Sequence, residues 1–127
     1  IKGLHILLAE DNELNMEIAE FMLQNEGADV TKAWNGREAV EIFRKSEPDE
    51  FDVILMDIMM PVMNGYEATK MIRSLEREDA KTIPIIAMTA NAFTEDRLKA
   101  KEAGMDEHIA KPVDPELLVK VIYESVD

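Results

Sequence analysis

Short apolar runs alternate with segments of helical periodicity from one end of the chain to the other, and four of the runs stop on polar residues capable of chemistry. His5-Ile6-Leu7-Leu8-Ala9 leads into Glu10-Asp11, and Phe51-Asp52-Val53-Ile54-Leu55-Met56 leads into Asp57. Ile83-Pro84-Ile85-Ile86-Ala87-Met88 ends at Thr89, and His108-Ile109-Ala110 ends at Lys111-Pro112. This alternation selects βα units and an α/β fold, because parallel strands need a crossover between them and a helix is the usual one. In an open parallel sheet the ligand crevice lies beyond the carboxyl ends of the strands, so these distant residues are expected to converge there.

Five units are expected, with strands at about Leu4–Ala9, Ala28–Ala33, Asp52–Met56, Ile83–Met88 and His108–Ile109. The first helix is predicted from Glu13 to Glu26, closed by Gly27, with Ile18, Ala19, Met22 and Leu23 facing inward. Leu14 and Phe21 fall on the flank of that stripe, where they are either the edge of the core or a docking surface for a partner helix. Asn35-Gly36 opens a second helix carrying Ala39, Val40 and Phe43, and Asn64-Gly65 a third carrying Ala68, Met71, Ile72 and Leu75. Thr94 is the expected N-cap of a fourth, ending at Gly104, and Asp114-Pro115 starts a fifth that turns Leu117, Leu118, Val121 and Ile122 inward. The polar stretch Arg77–Thr82 reads as a mobile loop.

With 127 residues, one domain covering 1–127 is expected, and the lack of cysteine excludes disulfides, thiolate metal sites and cysteine nucleophiles. The formal net charge of −13 argues against direct binding to nucleic acid or to an anionic membrane, both of which reward clustered Lys and Arg. No apolar run approaches the ~20 residues of a membrane span, and the cytoplasm is the expected compartment.

Glu10, Asp11 and Asp57 crowded together are expensive without a counter-ion, since like charges at close range suppress ionisation. A hard divalent cation resolves the conflict, magnesium first and manganese next, because magnesium takes few protein carboxylates and completes its shell with water and phosphate oxygens. A backbone carbonyl just after Asp57, at Met59, is expected to add a ligand. Zinc does not fit, as His5 and His108 stand apart in the sequence and no cysteine is present. Asp57 is the expected phosphoryl acceptor, an aspartate carboxylate being a recognised covalent nucleophile. Lys111 and Thr89 would then supply a positive charge and a hydroxyl donor to the phosphoryl oxygens.

These motifs, Leu7-Leu8-Ala9-Glu10-Asp11-Asn12, Leu55-Met56-Asp57-Ile58-Met59-Met60-Pro61, Met63-Asn64-Gly65, Met88-Thr89-Ala90 and Ala110-Lys111-Pro112-Val113, closely resemble the receiver domain of two-component response regulators. The resemblance implies a doubly wound five-stranded parallel sheet in the order 2-1-3-4-5, a CheY-like, flavodoxin-like three-layer sandwich. It also implies magnesium-dependent transfer of a phosphoryl group from a phosphohistidine to Asp57, switching a protein-interaction surface. Thr89 and the residue at 108 would form the switch, and His108 here replaces the more usual Tyr or Phe, which opens the way to pH dependence. Around Thr89 and Lys111 the wording is similar to receivers of hybrid sensor histidine kinases. That implies a histidine kinase or histidine-phosphotransfer protein as partner, docking at Leu14 and Phe21, a phosphorylation-dependent dimer, and a cytoplasmic position within a membrane sensor kinase. On this reading the domain catalyses only its own phosphorylation. The competing enzyme class is a magnesium-dependent phosphatase of the haloacid dehalogenase type, whose second Asp is replaced by Met59. Asn91 and Met59 flank the expected path of attacking water, and apolar Met59 predicts slow autodephosphorylation.

Overall fold

Five strands, β1 (His5–Ala9), β2 (Asp29–Ala33), β3 (Val53–Asp57), β4 (Ile85–Thr89) and β5 (Glu107–Ala110), form one sheet in a computed structural model that describes residues 1–90 and 94–126. Their spatial order is β2-β1-β3-β4-β5 and every pair is parallel. The crossovers are α1 (Glu13–Asn25), α2 (Gly36–Lys45), α3 (Gly65–Arg73) with the short α4 (Glu78–Thr82), and α5 (Thr94–Ala103); α6 (Pro115–Ser125) follows β5. This is the doubly wound order that the resemblance implies, with the reversal of direction between β1 and β3.

Alternate residues of the same strands build two cores. Leu7, Ala9, Ile54, Met56, Ile85 and Ala87 face α2, α3, α4 and α5, while Ile6, Leu8, Val53, Leu55, Ile86 and Met88 face α1 and α6. Burial on both faces explains why β3 and β4 read as unbroken apolar runs, and the edge strands β2 and β5, only partly covered, as the weakest ones. Asn35 and Asn64 cap α2 and α3 through Glu38 N and Glu67 N, each at 2.9 Å, and Asp114 caps α6 through Glu116 N. Thr94 is the first helical residue of α5 and not the residue before it, which lies outside the described residues together with Asn91.

Several expectations are corrected. The inward stripe of α1 is Met16, Ala19 and Leu23, and Ile18 is 45% exposed; Met71 and Leu117 are likewise exposed. Ala19 and Leu23 are buried and Met22 packs against the core as expected, while Met16 takes the inward place given to Ile18, because one sheet face needs only a narrow apolar arc. β4 begins at Ile85, two residues late, and β3 runs one residue further, taking in Asp57.

The stretch Arg77–Thr82 is ordered structure and includes the short helix α4. Arg77 donates to the carbonyl oxygens of Phe43 (2.9 Å), Ser46 (3.0 Å) and Glu47 (3.1 Å), forks onto both carboxylate oxygens of Asp79 (2.7 and 2.6 Å), and lies 4.6 Å over the Phe43 ring. Asp79, buried, also accepts from Asp49 N, and the Arg77 hydrogen bond holds its carboxyl below the usual carboxylate range. Polar composition suggested solvent; here polar groups satisfy one another across three segments.

Candidate functional site

The carboxyl ends of β1, β3, β4 and β5 meet in one crevice. Ala9 ends β1, so Glu10 projects at the strand's edge, and its amide holds the line by donating to Ala33 O at 3.0 Å. Glu10 is 2% exposed and Asp57 3%, far below what is usual for carboxylates. Lys111 answers both: its Nζ donates to Glu10 Oε2 at 2.9 Å and lies 3.0 Å from Asp57 Oδ2. The Lys111 amide donates to Thr89 O at 2.8 Å, which ties the β5 end to the β4 end, and its peptide bond to Pro112 is cis. Thr89 is nearly buried.

A single ammonium does not balance this cluster. Burial pushes the Asp57 carboxyl up to about 6, with Lys111 opposing and the Glu10 charge adding to the rise. Burial works against the Lys111 charge, yet the Glu10 and Asp57 carboxylates outweigh it and hold its pKa above the ordinary lysine value. One oxygen from each of Glu10, Asp11 and Asp57 lies within 4.8 Å of the others. Three carboxylates at that spacing, two of them buried and underneutralised, fit a hard divalent cation that takes oxygen ligands. Asp11 is exposed, which leaves one side of the cluster open to solvent and to an incoming group.

Asn12 was missed as a site residue. Its amide donates to Glu10 Oε1 at 3.1 Å, orienting the carboxylate, while its side chain caps α1 by accepting from Asn15 N at 2.9 Å. An Asn immediately before a helical pattern is an N-cap signal that the sequence does carry. His108 is half-buried on β5 opposite Ala87, and with Ile58, Thr89, Asp96, Arg97 and Ala100 it lines a small pocket beneath Thr89. Met59 is on the rim with its side chain 76% exposed. Leu14 and Phe21 lie outside the crevice on α1, 64% and 71% exposed. Beside them a cavity of about 460 Å³ runs between α1 and the segment after β5, walled by Ile18, Met22 and Val113 and reaching Glu10 and Lys111.

The response regulator receiver domain family matches residues 6–123, and the chain belongs to it. Relatives include hybrid signal transduction histidine kinase I of Dictyostelium discoideum, 41% identical over 95% of this chain, and histidine kinase 1 of Arabidopsis thaliana, 37% identical over 96%. The chain spans only 7% and 13% of the length of those two proteins. Among solved structures, the receiver domain of a sensor histidine kinase of Pseudomonas aeruginosa PAO1, with magnesium coordinated in its active-site cleft, is 39% identical with a TM-score of 0.88, covering 98% of each chain. The co-crystal structure of the Saccharomyces cerevisiae histidine phosphotransfer protein Ypd1 with the receiver domain of Ssk1 matches at 32% identity and a TM-score of 0.89, covering 98% of this chain and 90% of that one. The chain is therefore a receiver domain of phosphorelay signalling, and its role is that of a phosphoacceptor. Among the described residues, no helix is long and apolar enough to cross a membrane.

Proposed function

We propose that Asp57 is the residue that accepts the phosphoryl group, with Lys111 and Thr89 as its partners in the transfer. A carboxylate oxygen of Asp57 forms the bond to phosphorus as the bond from phosphorus to the donor's histidine nitrogen breaks. The electron pair of that bond stays on the imidazole. Asp57 needs no separate base, because a carboxyl titrating at about 6 is mostly ionised at pH 7. Lys111, already 3.0 Å from Asp57, neutralises negative charge on the phosphoryl oxygens, and the Thr89 hydroxyl donates to them. The observation that carries this reading is the convergence of Glu10, Asp57 and Lys111, from three strand ends, within hydrogen-bond distance of one ammonium.

Glu10, Asp11 and Asp57 are the side chains that would hold magnesium, or manganese in its place, with the Met59 carbonyl as a further ligand. When bound, the ion supplies additional positive charge to the transferring group. Residues 1–127 act as one receiver unit, turning over no external substrate; the exposed, apolar Met59 has no proton to give a leaving group, which disfavours a phosphatase.

The donor is a histidine kinase or a histidine-phosphotransfer protein. Leu14 and Phe21 dock it, and Ile18 between them continues the same exposed apolar stripe along α1. Phosphorylation shifts Thr89 and His108 between two arrangements and changes the surface available to partners, including a second copy of the domain. The setting is cytoplasmic, within a longer sensor kinase. Intact-mass measurement after incubation with acetyl phosphate and magnesium tests the core of the reading. One added phosphoryl group on the parent and none on Asp57→Asn is the expected result, and equal labelling of both would end it.

A further inference from the structure

Residues 58–64 link the end of β3 to α3, and backbone contacts fix this loop at more than one point. Gly65 N donates to Ile58 O at 2.9 Å, and a Cβ at Gly65 would run into the Asp57 carbonyl oxygen. In the middle of the loop Met63 N donates to Pro61 O at 2.7 Å, a three-residue turn that puts Val62 at φ 69°. A β-branched residue in the left-handed region is strained and persists only where its surroundings hold it. Val62 is 75% exposed, so burial of its own side chain does not offset that strain.

The hold comes from another helix. Gly36, the first residue of α2, donates its amide to Met63 O at 3.0 Å. A Cβ on Gly36 would overlap that oxygen and stand 2.9 Å from the Met63 carbonyl carbon and 3.0 Å from Asn64 O. All three are backbone atoms, so the neighbour cannot turn aside as a flexible side chain would; the loop itself has to move.

We infer that Gly36 is a positioning residue for the metal site: its backbone contact with Met63 sets the loop that presents the Met59 carbonyl beside Asp57. The inference rests on the proposed shell of Glu10, Asp11, Asp57 and Met59. Gly36 lies outside that shell and acts only through the loop. Coupling of this kind is reciprocal, so an ion bound at Met59 tightens the Gly36–Met63 bond by the same factor that the bond tightens the ion.

The test is calorimetric titration of magnesium into the parent, Asp11→Asn and Gly36→Ala, with amide exchange at Gly36 followed by NMR in the parent. Both variants are expected to bind magnesium about tenfold more weakly, with Gly36→Ala keeping a cooperative melt. Phosphorylation of Gly36→Ala by acetyl phosphate should return to the parental rate at saturating magnesium, which a general loss of structure would not allow. Saturating magnesium should slow Gly36 amide exchange in the parent by about the same tenfold factor. Parental affinity in Gly36→Ala alongside loss in Asp11→Asn overturns the inference and leaves the metal reading standing. Parental affinity in Asp11→Asn overturns the metal reading and the inference with it. Should Gly36→Ala fail to fold, exchange in the parent decides, and a Gly36 amide indifferent to magnesium refutes the coupling.

Discussion

Removing the charge of Asp57 should stabilise the metal-free fold. Asp57 titrates at about 6 in the folded protein against an ordinary 3.8, chiefly because it is buried. The native state therefore binds the Asp57 proton more tightly than the unfolded chain does. That contribution is complete below the unfolded value and is lost as pH rises through the folded one. At roughly 1.4 kcal/mol for each pH unit between the two values, ionised Asp57 costs the fold about 3 kcal/mol at pH 7. Asn has nearly the same shape and never ionises, and the attraction to Lys111 is already contained in the folded titration point. Asp57→Asn should thus gain up to about 3 kcal/mol in chelator at pH 7. With an unfolding entropy of about 2.1 cal/mol/K per residue, this corresponds to a melting temperature higher by about 11 °C. Thermal denaturation followed by circular dichroism measures it directly. The gap should close towards pH 4, where the parent carboxyl is protonated as well. It should also narrow on adding magnesium, because an ion at a hundred times its dissociation constant returns about 2.7 kcal/mol to the parent alone. A variant that melts at or below the parent at pH 7, or that keeps the same advantage at pH 4, would refute the account of the site as electrostatically overloaded.

Three further outcomes follow from the same geometry. Magnesium affinity should fall as pH drops below about 6, approaching tenfold per pH unit, because the proton and the ion compete for Asp57; affinity that is flat from pH 7.5 to 5 would contradict this. Asp79→Ala removes the carboxylate that the half-buried Arg77 forks onto and should destabilise the fold by about 1–3 kcal/mol by urea denaturation, whereas no measurable loss would return residues 77–82 to the status of a loose surface segment. Replacing Leu14 and Phe21 by polar residues should slow transfer from a phosphotransfer protein at least tenfold, an affinity loss of about 1.4 kcal/mol, while leaving labelling by acetyl phosphate at the parental rate. Equal slowing of both would show that the pair supports the fold and not the partner.

The positions of strands and helices and the acidic cluster were legible because each leaves a local signature, whereas the strand order and the helix sides came from the resemblance to receiver domains. Buried central strands read as unbroken apolar runs, and the first polar residue after each run falls at the carboxyl edge. Asn35, Asn64 and Asp114 marked helix starts in the same local manner. What escaped depends on contacts between segments. Arg77 is an ordinary charged residue until Phe43, Ser46 and Glu47 present carbonyls to it, and the linear chain gives no hint that they do. Ile18 satisfies helical periodicity as well as Met16, and only the width of the sheet face decides which of them is covered. Gly36 reads as a helix-start glycine, and its approach to Met63 spans 27 positions.

Each strand of the sheet is matched to its neighbours residue by residue, Ala9 with Met56, Asp57 with Met88, Thr89 with Ala110. One extra residue within β3 would send Asp57 and every side chain beyond the insertion to the opposite face, swapping the two cores as well as emptying the crevice. Length changes in related chains should therefore accumulate in the connections at the amino-terminal pole of the sheet, such as 46–52 and 74–84, while the count of residues inside the apolar runs stays frozen.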